Sequence, residues 1–371
     1  LPLFSHGTTV TQQERLAITE TAMCISRRQF NTLLGSSVLL SSFGARATES
    51  EEARMAALHE AARKEGEFTW YIVHLPSDTA ERMAQMFSTR FPGVRINVVR
   101  TTAQVAYQRL NQDLQAGVAN CDVFASTDIG HFLDLKQRKL LMQYAPLSHG
   151  KFDSRFSKYD PEGYYTATGS ALIGLLYNTD KVKPEEVQPS WKVLTDPRWK
   201  NQLSVGHPGF SGFVGTWLVA MVDLYGEDFI ENLAENAPQV GRSIIDTVTT
   251  VVSGERTLSA GPISLALRQK ARGNPIDVIY PEEGAVLMVM PTAIMANAPH
   301  PNAAKLFLEW TGTPEYASIA VEEYSTPLMP GLQLKPGVRP IADVKTIQPD
   351  AQSVMTDIPE LTEVWRDVFG V

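Results

Sequence analysis

Apolar and polar positions fall into short alternating blocks from residue 51 onward. Residues 51–64 favour helix and stop at Gly66, and the Phe68-Thr69-Trp70-Tyr71-Ile72-Val73 run reads as a buried strand. Met83, Met86, Phe87 and Phe91 then recur at helical spacing behind a possible cap at Asp78, and Pro92-Gly93 ends that segment. The pattern repeats with a strand at 94–99 and a helix capped by Thr102 that carries Val105, Leu110 and Leu114. A strand at 122–125 and a helix from Asp128 to Leu140 come next. Strand and helix in this rhythm, joined by short loops, predict a parallel, doubly wound α/β sheet.

Further along, 163–178 and 285–294 are long apolar strand patterns suited to carrying the chain from one lobe to another and back. Between them lies a second αβ unit. A strand at 203–205 leads into Gly206-His207-Pro208-Gly209-Phe210-Ser211-Gly212, and an apolar helix begins at Phe213. Asp246 is placed to cap a helix through Val251. Next come a strand at 258–261, a helix at 262–271 and a strand at 276–279, with helices at 302–310 and from Pro314. In sheets of this kind ligands sit beyond the carboxyl ends of the strands. That rule draws attention to the loops 74–77, 100–102 and 126–128, and to the glycine-rich turn at 206–212. There, free amides at a helix start and the positive end of its dipole favour an anion.

Charge and cysteine content narrow the partners. The chain has 371 residues, enough for two domains, and a formal charge of −8. Removal of residues 1–47 takes away four arginines and two glutamates, leaving −10, which argues against nucleic acid or an anionic membrane as the main partner. Ser26-Arg27-Arg28-Gln29-Phe30, a modest apolar stretch from Leu33 to Leu40 and Ala45-Arg46-Ala47 together resemble a twin-arginine export signal. Met23 stands just before it as an alternative initiator. The expected mature chain starts near Thr48 and keeps a single cysteine, Cys121, in an apolar run that suits a small core residue rather than a nucleophile.

Several segments resemble one family, the periplasmic substrate-binding proteins of ABC importers, in its ferric-iron-binding-like branch. They are Leu175-Leu176-Tyr177-Asn178-Thr179-Asp180-Lys181-Val182, Asp196-Pro197-Arg198-Trp199-Lys200, Ser253-Gly254-Glu255, Tyr280-Pro281-Glu282-Glu283-Gly284-Ala285 and the stretch from Pro301 to Trp310. The resemblance implies a two-lobed type II periplasmic-binding-protein fold, each lobe a mostly parallel sheet flanked by helices, with crossover hinge strands that let the lobes close on ligand. The expected division is a leader at 1–47, one lobe from 48–168 plus 286–331, and a second from 169–285 plus 332–371. Iron-binding members carry an adjacent tyrosine pair after the Ser-Gly-Glu segment. Here that place reads Gly261-Pro262-Ile263-Ser264-Leu265, which offers Fe(III) no anionic oxygen. Tyr164-Tyr165 precedes the crossover, and its two side chains point to opposite faces of a strand.

The expectation is therefore a non-catalytic periplasmic receptor, a monomer with no metal and no cofactor. It would bind a small anionic organic solute and deliver it to an inner-membrane ABC permease. In the family the loop matched by Ser211, Gly212 and Phe213 holds an anion. Arg100 would add charge, and Thr101, Ser126 and Thr127 hydroxyl donors. His74, Ser77, Asp246, Thr247 and Tyr280 complete the candidate set, with Trp217 and Arg242 as weaker members. Two alternatives stay open: a ferric-iron receptor with other ligands, and an exported enzyme. Against the enzyme, Gly209-Phe210-Ser211-Gly212-Phe213 breaks the nucleophile-elbow pattern. The chain also has no His-Glu-x-x-His and no phosphate-binding Gly-x4-Gly-Lys-Ser/Thr sequence.

Overall fold

The computed structural model describes residues 51–371, so the twin-arginine segment lies outside the described residues. The chain divides after residue 54, and the unit Met55–Val371 holds the entire sheet. After helix α1 (51–65) the elements are β1 (Glu67–Ile72), α2 (Ser77–Arg90), β2 (Arg95–Arg100), α3 (Ala103–Gln115), β3 (Val123–Ala125), α4 (Ile129–Gln137), α5 (Ser154–Ser157) and β4 (Thr166–Asn178). Then come β5 (Leu203–Gly206), α6 (Gly212–Tyr225), α7 (Asp228–Glu235), β6 (Gln239–Gly241), α8 (Ile244–Val252), β7 (Leu258–Pro262), α9 (Ile263–Ala271) and β8 (Ile276–Ile279). The chain ends with β9 (Ala285–Ile294), α10 (Pro301–Thr311), α11 (Pro314–Glu322), β10 (Thr346–Ile347) and α12 (Ala351–Phe369).

The predicted αβ rhythm forms two parallel groups. β1 pairs in parallel with both β2 and β3, and β5 pairs in parallel with both β6 and β7. β9 and β4 run antiparallel to one another between these groups. β9 reaches β3 through Ile294, Ala293 and Thr292, and β4 reaches β7 through residues 173–177. The sheet order β2-β1-β3-β9-β4-β7-β5-β6 is thus continuous across the two long strands. Both strands are almost wholly buried, which explains why they read as apolar runs rather than alternations.

The caps differ from their sequence assignments. Asp78 lies inside the first turn of α2, whose cap position is Pro76, and its carboxylate faces Arg268 at 3.2 Å. Asp246 is the third residue of α8, where it and Ser243 form a reciprocal capping box. Thr102 occupies the cap position of α3, yet its hydroxyl makes no capping bond. Asp128 does cap α4, accepting from the Gly130 amide at 2.9 Å. Cys121 is a buried core residue whose thiol is pushed well up by burial.

Candidate functional site

The carboxyl ends of β1, β2, β3 and β5 all open towards one cavity. On one side stand the β1–α2 loop with His74, Leu75 and Pro76, the end of β2 with Arg100, and Thr102 and Thr127. Phe210, Ser211 and Phe213 before and within α6 face them, together with the start of α8 and Ser264 and Leu265 of α9. β4 and β9 supply the floor through residues 168–171 and Met290. The segment 311–329 closes another side. Ser325 and Thr326 are held against β4 by reciprocal bonds, Ser325 Oγ donating to Ser170 O at 2.9 Å and Ser170 Oγ to Thr326 O at 3.3 Å.

Among the described residues, Arg100 is the only lysine or arginine in the lining. Its Nε donates to the Leu75 carbonyl at 3.0 Å, which fixes the guanidinium. Burial lowers its pKa and the carboxylate of Asp246 raises it. An arginine stays protonated through such a shift. His74 is beside it, driven down to about 3 by desolvation and then by the Arg100 charge, so its imidazole is neutral at physiological pH. Its Nδ1 and the Thr102 hydroxyl are buried and have no hydrogen-bond partner. These two orphans belong to the same wall as Arg100.

The turn before α6 is largely self-contained. His207 accepts from the Gly209 amide through Nδ1 at 2.9 Å, and its carbonyl accepts from the amides of Phe210 and Ser211 at 3.2 Å. Ser211 is at the cap position of α6 and makes no side-chain cap bond. Gly212 presses on the opposing wall: a Cβ there would lie 2.7 Å from Thr127 Oγ1 and 2.8 Å from the Asp128 amide nitrogen. The apolar helix signal at 213–219 belongs to the core, where Trp217 is 1% exposed and meets Trp191 edge to face.

Of the candidate residues, His74, Arg100, Thr127, Ser211 and Phe213 line the cavity together. Ser126 is adjacent but occupied, its hydroxyl bonded to His131 Nδ1 at 2.9 Å. Asp246 accepts from the Ser243 amide at 2.9 Å, and the Thr247 hydroxyl donates to the Ile244 carbonyl at 2.7 Å. Tyr280 faces a separate depression with Arg339 over its ring at 4.4 Å. Ser77 is exposed and Thr101 half-buried, and neither is in the lining. The sequence placed Thr102 in a loop at the carboxyl end of a strand but left it out of the candidate set, because its position made it look like a cap. Sequence reasoning missed the thioethers and rings of Met83, Phe152, Met290, Tyr316 and Met329, which arrive from distant segments.

Metal chemistry has few donors here. Among the described residues no group of three or more His, Cys, Asp or Glu side chains comes together. Tyr316, the one tyrosine in the lining among the described residues, is half-buried and its phenol is pushed upward by desolvation, so it is not a ready phenolate. The lining carboxylate, Glu323, is paired with Arg82 at 2.8 Å and with Arg268.

Residues 120–346 match the bacterial extracellular solute-binding protein family. The chain belongs to that family. Its members are binding proteins rather than enzymes, and its structural neighbours share the type II periplasmic-binding-protein fold. AfuA of Actinobacillus pleuropneumoniae, solved with fructose-6-phosphate bound, superposes with a TM-score of 0.73 at 21% identity, over 82% of this chain and 99% of that one. Iron-bound HitA of Pseudomonas aeruginosa gives 0.69 at 17% identity, over 81% and 99%. Among curated relatives, iron uptake protein A1 of Synechocystis sp. is 22% identical over 68% of this chain and 74% of its own length. An uncharacterised Haemophilus influenzae protein is 29% identical over 42% of this chain, a match spanning 47% of the relative. Solute-binding members therefore include the ferric-binding branch to which the sequence segments pointed.

Proposed function

We propose that this solute-binding protein is the periplasmic receptor of an ABC importer for a small organic anion, which it hands to an inner-membrane permease. The observation that carries the reading is the charge of the cavity. One arginine, without a carboxylate hydrogen-bonded to it, stands beside two unsatisfied polar atoms. Buried polar groups left without partners are costly, and a bound solute that supplies acceptors and donors removes that cost. Export by the twin-arginine leader and a monomeric state belong to the same proposal.

Closure would use the two long strands. With lobes at 48–168 plus 286–331 and at 169–285 plus 332–371, β4 and β9 are the crossovers, and contacts from both walls favour the closed form that a permease reads. Ferric iron is the weaker reading, because Ile263 and Ser264 stand where the tyrosine pair would be and the Tyr316 phenol resists ionisation.

A thermal-shift panel tests the proposal with carboxylates, phosphonates, phosphate esters, spermidine and ferric citrate. A ligand at a hundredfold excess over Kd stabilises by about 2.7 kcal/mol, so one class of organic anion should raise the melting temperature by several degrees. A shift with ferric citrate alone, with a red-orange colour, would replace this reading by the iron one.

A further inference from the structure

The geometry points to a specific ligand class: a monocarboxylate with an apolar, aromatic or branched body, its carboxylate held by Arg100 with Thr102 and His74. The inference rests on the receptor reading above and concerns the same cavity. Three observations carry it.

The first is charge balance. Arg100 and Glu323 are the two residues with an ionised side chain in the lining, and Glu323 is already held by Arg82 and Arg268. The Asp246 carboxylate, outside the lining, acts on Arg100 as well, so the cavity offers a ligand no more than one positive charge. A monoanion is matched, whereas a phosphate monoester brings close to two negative charges and leaves the second without a partner. A polyamine would set cations beside Arg100 with no unpaired carboxylate in the lining to receive them.

The second is donor geometry. With Nε committed to Leu75 O, Arg100 presents its terminal nitrogens, and a guanidinium suits the two oxygens of a carboxylate. The Thr102 hydroxyl sits two residues on and has no bond in the protein. His74 Nδ1 lacks a partner too, and a neutral imidazole can donate or accept. Both atoms are inaccessible in this form, so a solute reaches them only as the wall adjusts around it.

The third is the rest of the wall. Met83, Phe210, Phe213, Ile245, Met290 and Met329 face the cavity and give it apolar ground between hydroxyl-bearing residues such as Thr127, Ser211 and Ser264. A ring or branched chain gains from the same contacts, and methionine side chains adapt to its outline.

Titration calorimetry on the full mature chain decides the matter, with phenylacetate and 4-methylpentanoate as monocarboxylate probes and fructose-6-phosphate as the phosphate ester. Both monocarboxylates should bind more tightly than the ester. Arg100→Gln should weaken phenylacetate binding by about ten- to a hundredfold, the worth of a charge-assisted bond. Thr102→Val, nearly the same shape, should weaken it severalfold, and circular-dichroism melting should find both variants folded. Tighter binding of the ester would overturn the monocarboxylate assignment and leave the receptor reading standing. Unchanged phenylacetate affinity in Arg100→Gln would overturn the role of Arg100. Failure of every organic anion to bind would overturn both.

Discussion

A methyl group at position 212 has nowhere to go, because Thr127 Oγ1 and the Asp128 backbone lie within 3 Å of where it would be. The backbone nitrogen cannot rotate aside as a flexible side chain would. Gly212→Ala should cost about 1–3 kcal/mol, read as a lower urea midpoint, and should weaken solute binding as the two walls move apart. An unchanged midpoint would mean that the walls do not meet there. His149 makes a different kind of prediction. It is 2% exposed, bonded to Thr166 Oγ1 at 2.6 Å and to Thr311 Oγ1 at 2.8 Å, and burial drives its pKa to about 3. Because that value lies below the unfolded one near 6.5, the unfolded chain takes up the proton first. The stability is complete above about pH 6.5 and falls by up to about 1.4 kcal/mol per pH unit as pH drops towards 3. His149→Gln should melt with a shallower pH dependence between pH 6.5 and 4, and an equal slope would refute the assignment. At this scale the sequence was legible only in part. Asp128 could be read as a cap, but Asp78, Thr102 and Asp246 each stand within three residues of a helix start, and propensity alone does not say which of several polar neighbours bonds. That the Thr102 hydroxyl bonds to nothing depends on where β2 delivers it.

Long or strongly patterned elements could be anticipated, and short or composite ones could not. β4, β9 and the β1–α2–β2–α3–β3–α4 run are visible because burial imposes an apolar run or a 3.6-residue repeat. β6 and β10, with three and two residues, carry no period to detect. α12 runs through Pro359 and is polar on much of its surface. Its importance emerges only from packing: Met355 meets Gly130 of α4 and Ile358 meets Gly215 of α6, so one C-terminal helix rests on both. A second contact between distant segments lies at the cavity edge. Arg268 of α9 is paired with Glu323 just after α11 and, at 3.2 Å, with Asp78 of α2. Arg268 and Glu323 are each 15% exposed, so their attraction is less screened than that of a surface pair. Arg268→Ala should cost about 1–3 kcal/mol, between the values for exposed and buried pairs. A double-mutant cycle with Glu323→Gln should return a coupling of the same sign, and additivity of the two changes would show that the pair does no work.

Across the whole molecule, the two parallel strand groups and the pair β4–β9 between them account for the position of the cavity at the carboxyl ends of the strands. The αβ rhythm and the family segments were enough to anticipate this arrangement. The chemistry of the wall was less accessible, since residues from 73 to 329 contribute to it and only the folded chain brings them together. A net charge of −8 sets no obstacle to an anionic solute, because nearby charges rather than the total set the field in a cavity, and here Arg100 lines it with Asp246 acting on that arginine. The central claim is reversible capture without turnover. Equilibrium dialysis of the purified chain against the organic anion that stabilises it most, and then mass spectrometry of what denaturation releases, tests that claim directly. A receptor holds one solute per chain and returns it chemically unchanged. A converted product, or no retained anion, would contradict the account.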